Sequence, residues 1–279
     1  MTALTERGVT ALATLDDHRL ARALAEAAGE VLLALRAADP GTDPAQLKAD
    51  GDRRSHLFLV DQLAAVRPDD AVLSEEGKDD PVRLGADRVW IIDPLDGTRE
   101  FGEVPRDDWA VHVALWERGD LVAGAVARPA RGTTLATDRV TGPPGAERDS
   151  AEGRAPAAQP SGRLRLAVSR TRPPAFVARL AERLDAERVP MGSAGIKATA
   201  VVDGTVDAYV HAGGQYEWDS AAPVAVARAA GLHTSRIDGS PLEYNRPDPL
   251  LPDLLICRPE VADHLLTVIS ELTNEGTTT

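Results

Sequence analysis

Two short apolar runs that each stop on acids constrain this chain more than any other feature. Ala71-Val72-Leu73 leads through Ser74 into Glu75-Glu76, and Val89-Trp90-Ile91-Ile92 leads into Asp93-Pro94-Leu95-Asp96-Gly97-Thr98-Arg99-Glu100. Both runs have strand length, and the second is rich in β-branched and aromatic side chains. In open α/β sheets, sites gather outside the carboxyl ends of the strands. Two strands that deliver acids from their C-terminal ends therefore predict a mixed α/β fold with an acidic site along one edge.

The remaining segments supply helices and further strands. Apolar positions over 20–35 recur at helical spacing until Pro40 and Gly41 interrupt them, and a second helical stretch covers about 55–66. Positions 111–116 and 121–127 flank Glu117-Arg118-Gly119-Asp120 and read as a hairpin with a Gly-containing turn. From 141 to 162 the composition is Gly, Pro, Ala, Ser and charges, which suits a loop or a joint between halves. A boundary near Ser161 divides the chain into an N-terminal α+β domain over 1–160, with most of the acids, and a C-terminal α/β domain over 161–279 that contributes Asp219. The second half alternates: strand 164–168, helix 175–184, the turn Met191-Gly192-Ser193, helix 194–202 and strand 206–210. Asp219 then precedes an Ala/Val-rich helix closed by Gly231, and strand 254–257 and helix 261–272 follow. Such alternation argues for layered α/β architecture.

Charge and cysteine usage limit the partners. With 31 Lys plus Arg against 44 Asp plus Glu, the formal charge of the 279-residue chain is -13, which repels nucleic-acid polymers and anionic membranes. No run approaches the ~18 apolar residues of a membrane span, and the first residues lack the apolar core of a signal peptide. Cys257 is the only cysteine, so an internal disulfide or a thiolate-rich zinc site is excluded, and a reducing, cytoplasmic location is expected. Its apolar neighbours Leu254, Leu255 and Ile256 predict burial. His112, His211 and the other histidines show no ligand spacing, which disfavours zinc. A small phosphate ester remains accessible to an acidic protein when bound divalent ions reverse the local sign.

Magnesium takes hard oxygen ligands, usually a few carboxylates with waters and substrate phosphate. Glu75, Asp93, Asp96 and Asp219 are candidates. The two residues between Asp93 and Asp96 let a tight turn aim both carboxylates, and the Leu95 carbonyl, at one point, with the Gly97 and Thr98 amides beside it. Each piece has a plainer explanation. Asp-Pro and Asp-Gly are ordinary turn dipeptides, Glu75-Glu76 suits a solvated pair, and Asp219 suits a helix cap. The coincidence of three acidic groups at the ends of apolar elements favours the metal site.

These residues resemble the signatures of the inositol monophosphatase superfamily of magnesium-dependent, lithium-sensitive phosphatases. The first signature resembles Trp90-Ile91-Ile92-Asp93-Pro94-Leu95-Asp96-Gly97-Thr98-Arg99-Glu100-Phe101, and the second Glu217-Trp218-Asp219-Ser220-Ala221-Ala222 running to Ala230-Gly231. Leu73-Ser74-Glu75-Glu76 and Gly192-Ser193-Ala194 match as well. The resemblance implies an alternating α/β/α/β/α sandwich of the inositol monophosphatase and sugar phosphatase type. Within the superfamily, Thr98-Arg99-Glu100-Phe101, Ser74-Glu75-Glu76, Ser169-Arg170 and Lys197 resemble the bacterial 3'(2'),5'-bisphosphate nucleotidases of the CysQ type. That likeness implies hydrolysis of the 3'-phosphate of 3'-phosphoadenosine 5'-phosphate to AMP in sulfate assimilation, with its sulfated precursor as a further substrate. Inositol 1-phosphate or fructose 1,6-bisphosphate in the same site is the alternative, and a non-catalytic metal-binding module is the alternative of another class. The assembly is left open, a homodimer included.

Carried over by position, the resemblance places one of two or three magnesium ions on Glu75, Asp93 and the Leu95 carbonyl. A second falls on Asp93, Asp96 and Asp219, and a third on Glu75 with waters. Asp52 would act with Thr98 on the attacking water, and Glu75 would join them as a catalytic group. Asp50 competes with Asp52 for this role, because Lys48-Ala49-Asp50-Gly51-Asp52 departs from the family pattern; spacing to Glu75 favours Asp52, and a solvated acidic loop is the plain alternative. Substrate contacts would come from Asp96, Gly97, Thr98, Arg99, Ser169, Arg170, Ser193, Lys197, Glu217 and Asp219. Lys197, one of three lysines in the chain, would meet the phosphate as a point charge or else snorkel from its helix. Trp109, Trp116 and Tyr216 are explained by core packing more cheaply than by a pocket.

Overall fold

The computed structural model describes residues 6–38, 43–140, 162–171 and 173–277. The 141–162 loop and the boundary near Ser161 fall almost wholly outside the described residues.

After α1 (Glu6–Ala13) comes α2 (Asp17–Ala38), whose buried stripe Leu20, Leu24, Ala28 and Leu32 repeats every four residues as the sequence predicts. Helix α3 (Pro44–Val66) starts about ten residues before the predicted onset. Asp43 caps it by accepting the Gln46 N–H at 3.3 Å, and Pro44 fits its first turn. Polar residues around Gly51 obscured that first half, since they leave no apolar period from which a helix can be read. The glycine itself serves contact. A Cβ on Gly51 would lie 2.8 Å from the Phe101 ring and 2.9 Å from Leu95. The Lys48–Asp52 stretch is therefore helix rather than loop.

The short parallel β1 (Ala71–Ser74) pairs with β2 (Arg88–Asp96), and α4 (Thr98–Gly102) follows directly. The hairpin of β3 (Ala110–Glu117) and β4 (Asp120–Arg128) turns through Arg118 and Gly119, both at positive φ, as the favoured two-residue hairpin turn requires. The short β5 (Thr133–Ala136) completes a five-stranded sheet ordered β1-β2-β3-β4-β5. In the second half come β6 (Arg165–Ser169), α5 (Ala175–Arg183), β7 (Glu187–Met191), α6 (Ala194–Val202), β8 (Ala208–Tyr216), α7 (Glu217–Ala229), β9 (His233–Ser235), β10 (Leu250–Cys257) and α8 (Pro259–Thr277). The second sheet is ordered β7-β6-β8-β10-β9. Three of its neighbours escaped the sequence pattern in part: β7 is a largely solvent-facing edge, β9 has three residues, and β8 runs through Gly213-Gly214.

Helices α2 and α3 cover one face of the first sheet, α6 and α7 lie between the sheets, and α5 and α8 cover the far face of the second. The order is the expected α/β/α/β/α sandwich. Small side chains let the middle layer approach closely: a Cβ on Gly124 of β4 would come within 2.7 Å of Ala225 in α7. This contact brings the start of α7, with Asp219, to the end of β2. Cys257 is buried in the outer core. Trp109 is fully buried and edge-on to Phe101, and Trp116 packs on the central core, whereas Tyr216 is exposed, contrary to the core-packing expectation.

Candidate metal and phosphate site

Asp93 lies in β2 with its side chain 1% exposed. Its Oδ1 accepts the Leu95 N–H at 3.0 Å, and the Ser55 hydroxyl of α3 holds the intervening Pro94 carbonyl at 2.7 Å. These two bonds fix the turn that the Asp-Pro-Leu-Asp spacing predicts. The strand register shifts between Asp93 and Asp96, and the shift lets both side chains serve one site. One carboxylate oxygen from each of Asp93, Asp96 and Asp219 can be chosen so that all three lie within 4.8 Å of one another.

Burial pushes the Asp93 carboxyl well up, helped by the charges of Glu75, Asp96 and Asp219, and Glu75 shares a hydrogen bond with it. Withdrawal from water, with Asp219 next, pushes Glu75 up to about 7, although part of its side chain remains open to solvent. Asp219, in the first turn of α7, accepts the Tyr216 N–H at 2.7 Å; burial and Asp96 raise it to about 6. Asp96 differs. Burial opposes its ionisation, but His112, Lys197 and Ser193 outweigh that and hold it well below the usual carboxylate range. It accepts the Ser193 hydroxyl, the Ala194 N–H at 2.9 Å and the Gly195 N–H at 2.6 Å, so its charge sits against the start of α6.

An all-oxygen donor set, buried at Asp93 and Asp96 and electrostatically overloaded with acids, fits a hard divalent cation. No lysine or arginine forms an ion pair with Glu75, Asp93 or Asp219 among the described residues, although Lys197 and His112 act on Asp219 from a distance.

Next to the acids, Thr98 Oγ1 lies 3.0 Å from the Leu95 carbonyl and 3.3 Å from Asp52 Oδ1, so its single proton serves one of them at a time. Burial and Glu76 raise Asp52 to about 6. Asp50 is engaged elsewhere, accepting from Gln46 at 3.0 Å and Arg53 at 2.9 Å. Of the two aspartates, Asp52 is the one that meets Thr98. Gly97 is left-handed with φ +86°, and a Cβ there would crowd Ser193 and the Asp108 carbonyl.

The other predicted contacts are distributed around this centre. Arg99 is exposed. Arg170 pairs with the buried Glu100 at 2.8 Å and with Glu103 at 2.7 Å, while Ser169 is half-buried at the end of β6. Ser193 caps α6 by accepting the Ile196 N–H. Lys197 does not snorkel: it is buried, and its ammonium donates to the Ser193 carbonyl at 2.5 Å and lies 5.3 Å over the Tyr209 ring. Both carboxylate oxygens of Glu217 are taken by backbone N–H groups, of Asn245 at 2.7 Å and Arg246 at 2.8 Å. The structure thus shows Lys197 and Glu217 holding chain segments.

Two residues at the site were not read from the sequence as part of it. His112 is fully buried and is the cross-strand partner of Asp93. Its Nε2 lies 3.1 Å from Asp96 Oδ2, an ion-pair contact rather than a well-directed hydrogen bond, and its Nδ1 faces the Trp218 carbonyl at 3.1 Å. Burial works against its protonation, but Asp96 raises its pKa. A polar residue inside the apolar run 110–115 was the available signal. Asp108 accepts the Gly192 N–H at 2.7 Å and pairs with Arg106, joining the loop before β3 to the start of α6. Its setting in Arg106-Asp107-Asp108 looks like any charged loop.

A sequence model described as the inositol monophosphatase family matches residues 15–273. A 3'-phosphoadenosine 5'-phosphate phosphatase of Mycobacterium tuberculosis is 55% identical over 250 residues, covering 88% of this chain and 90% of that protein. The 3'(2'),5'-bisphosphate nucleotidase CysQ of Escherichia coli is 32% identical over 244 residues, covering 79% and 91%. Among solved structures, CysQ from Bacteroides thetaiotaomicron, described as a bacterial member of the inositol monophosphatase family, superposes with a TM-score of 0.66 at 30% identity, covering 84% of this chain and 94% of its own. No helix among the described residues is long and apolar enough to cross a membrane. The chain belongs to the inositol monophosphatase family.

Proposed function

We propose that this protein is a magnesium-dependent phosphomonoesterase that removes the 3'-phosphate of 3'-phosphoadenosine 5'-phosphate, leaving AMP. The observation that carries the reading is the meeting of Asp93, Asp96 and Asp219 within 4.8 Å of one another, in a site that also holds the Thr98–Asp52 contact. The printed activities of the relatives at 55% and 32% identity support the substrate.

Glu75, Asp93, Asp96, Asp219 and the Leu95 carbonyl would hold the metal. Bound divalent ions supply an acidified water and charge stabilisation at the leaving oxygen, so the reaction needs no side-chain nucleophile. Asp52, raised to about 6, is suited to take a proton near neutrality, and Thr98 orients the water between Asp52 and the phosphate. The backbone of Gly97 and Thr98, where α4 begins, offers N–H groups without intrahelical partners to the phosphoryl oxygens. Arg99, Ser169 and Arg170 lie at the rim in the same reading, with Arg170 oriented by Glu100, and Ser193 would contribute from the buried start of α6. The division at 160/161 belongs to it as well: most acids come from the first part, and Asp219 with the α6 turn comes from the second. A reducing, cytoplasmic setting suits the single buried Cys257.

Phosphate release measured side by side from 3'-phosphoadenosine 5'-phosphate, inositol 1-phosphate and fructose 1,6-bisphosphate tests this. The expected result is the highest kcat/KM on the nucleotide. A higher value on either other ester reassigns the substrate, and no release from any of them with magnesium would leave only a metal-binding role.

A further inference from the structure

The acids explain how a phosphate ester is bound but not how a nucleotide is chosen, because every substrate of this chemistry presents the same phosphate. Selection must come from a contact with the rest of the molecule. A purine differs from an inositol or a sugar in having a flat, uncharged π-face.

One surface beside the acids has matching chemistry. Tyr216, the last residue of β8, is 46% exposed, and its ring lies flat on Trp218 with centroids 4.7 Å apart and planes 10° from parallel. Its own N–H is bonded to Asp219 Oδ2 at 2.7 Å, so the aromatic pair adjoins the metal cluster. Trp218 is anchored underneath: it packs on the central core, and its carbonyl faces His112. Leu250 stands opposite Tyr216 in the β8–β10 ladder and is also 46% exposed. Two large apolar side chains left open side by side at the rim of a charged site form a small apolar platform. An aromatic held by a second aromatic presents that area with little entropy left to lose.

Resting on the proposed nucleotide substrate, we propose that Tyr216, backed by Trp218 and flanked by Leu250, is the stacking surface for the purine base. Base stacking on an aromatic side chain contributes enough that its removal weakens binding by about tenfold.

The test compares kcat/KM for 3'-phosphoadenosine 5'-phosphate with kcat/KM for ribose 3,5-bisphosphate, which lacks the base. In Tyr216→Ala this ratio falls by about tenfold, through KM rather than kcat, and Tyr216→Phe restores it. Should Tyr216→Ala fail to fold, Tyr216→Leu, which keeps bulk without a π-face, shows the same fall. A ratio unchanged in a folded variant, with the unsubstituted enzyme active on the nucleotide, overturns the stacking role alone. An unsubstituted enzyme inactive on the nucleotide overturns the substrate reading, and the stacking role with it.

Discussion

Asp93 and Asp96 lie three positions apart on one strand, in opposite surroundings. Around Asp93, with Glu75 and Asp219, negative charge accumulates with no lysine or arginine paired to it among the described residues, and each carboxyl is pushed up even though His112 and Lys197 pull on Asp219 from a distance. Around Asp96, Ser193, two amides of α6, His112 and Lys197 already supply positive ends, and its carboxyl is pushed down. The first corner carries charge that a bound cation would neutralise. The second is satisfied by the protein and would fix where that cation sits. In the proposed metal site the work is thus divided, one side providing unmet charge and the other rigid placement.

If that division is right, the largest loss comes from the unmet corner. Asp93→Asn should cut kcat by about a thousandfold or more, since metal stabilisation of the developing charge is worth several kcal/mol. Without magnesium its thermal midpoint should not fall, because a repelling acid has been removed; steady-state assays at saturating magnesium and a melting curve of the metal-free protein check the two. Asp52→Asn comes next, with kcat down about a hundredfold and magnesium half-saturation unmoved, the outcome for a proton acceptor rather than a ligand. His112→Asn should act through placement, raising the magnesium concentration for half-maximal activity by about tenfold or more. A fall in kcat without that rise would erase the contrast between the corners.

A pH dependence sharpens the same comparison. Glu75 at about 7, with Asp52 and Asp219 at about 6, keeps protons in the folded state that the unfolded chain releases near about pH 4. Stability of the metal-free protein from these groups therefore falls as pH rises from about 4 to about 7. A bound cation would take the place of the protons on Glu75 and Asp219, so the rise in Tm on adding magnesium should be small at pH 5 and larger at pH 7.5, by calorimetry. An equal rise at both values would mean that the acids do not carry the binding. The smallest effect belongs to Asp50→Asn: turnover within about twofold of the unsubstituted enzyme, as for a surface substitution away from the site.

The unmet corner was legible in the sequence and much of the satisfied corner was not, for a physical reason. Glu75, Asp93, Asp96 and Asp219 each follow or open an apolar element, and local pattern reports such placement. His112 reaches Asp96 across strands, and Asp108 reaches Gly192 across 84 positions; nothing local marks either contact. The layered fold was legible from alternation, yet β7 and β9 were not, because an exposed edge and a three-residue strand have no apolar period. Lys197 and Glu217 matched a motif while their side chains hold backbone. A motif match identifies a neighbourhood, and only the contacts tell which members face the chemistry.

Gly51 shows what such a neighbourhood asks of its supports. Judged by helix propensity alone, replacing it with alanine in the middle of α3 is a standard stabilising choice, worth about 1 kcal/mol. Yet the missing side chain is the gauge that sets how close the helix lies to Leu95 and Phe101, and Asp52 is its next neighbour. Thermostability engineering guided by local preference would thus widen the gap on which the Asp52–Thr98 contact depends. The weakest residue in that helix is the one that sets its working distance.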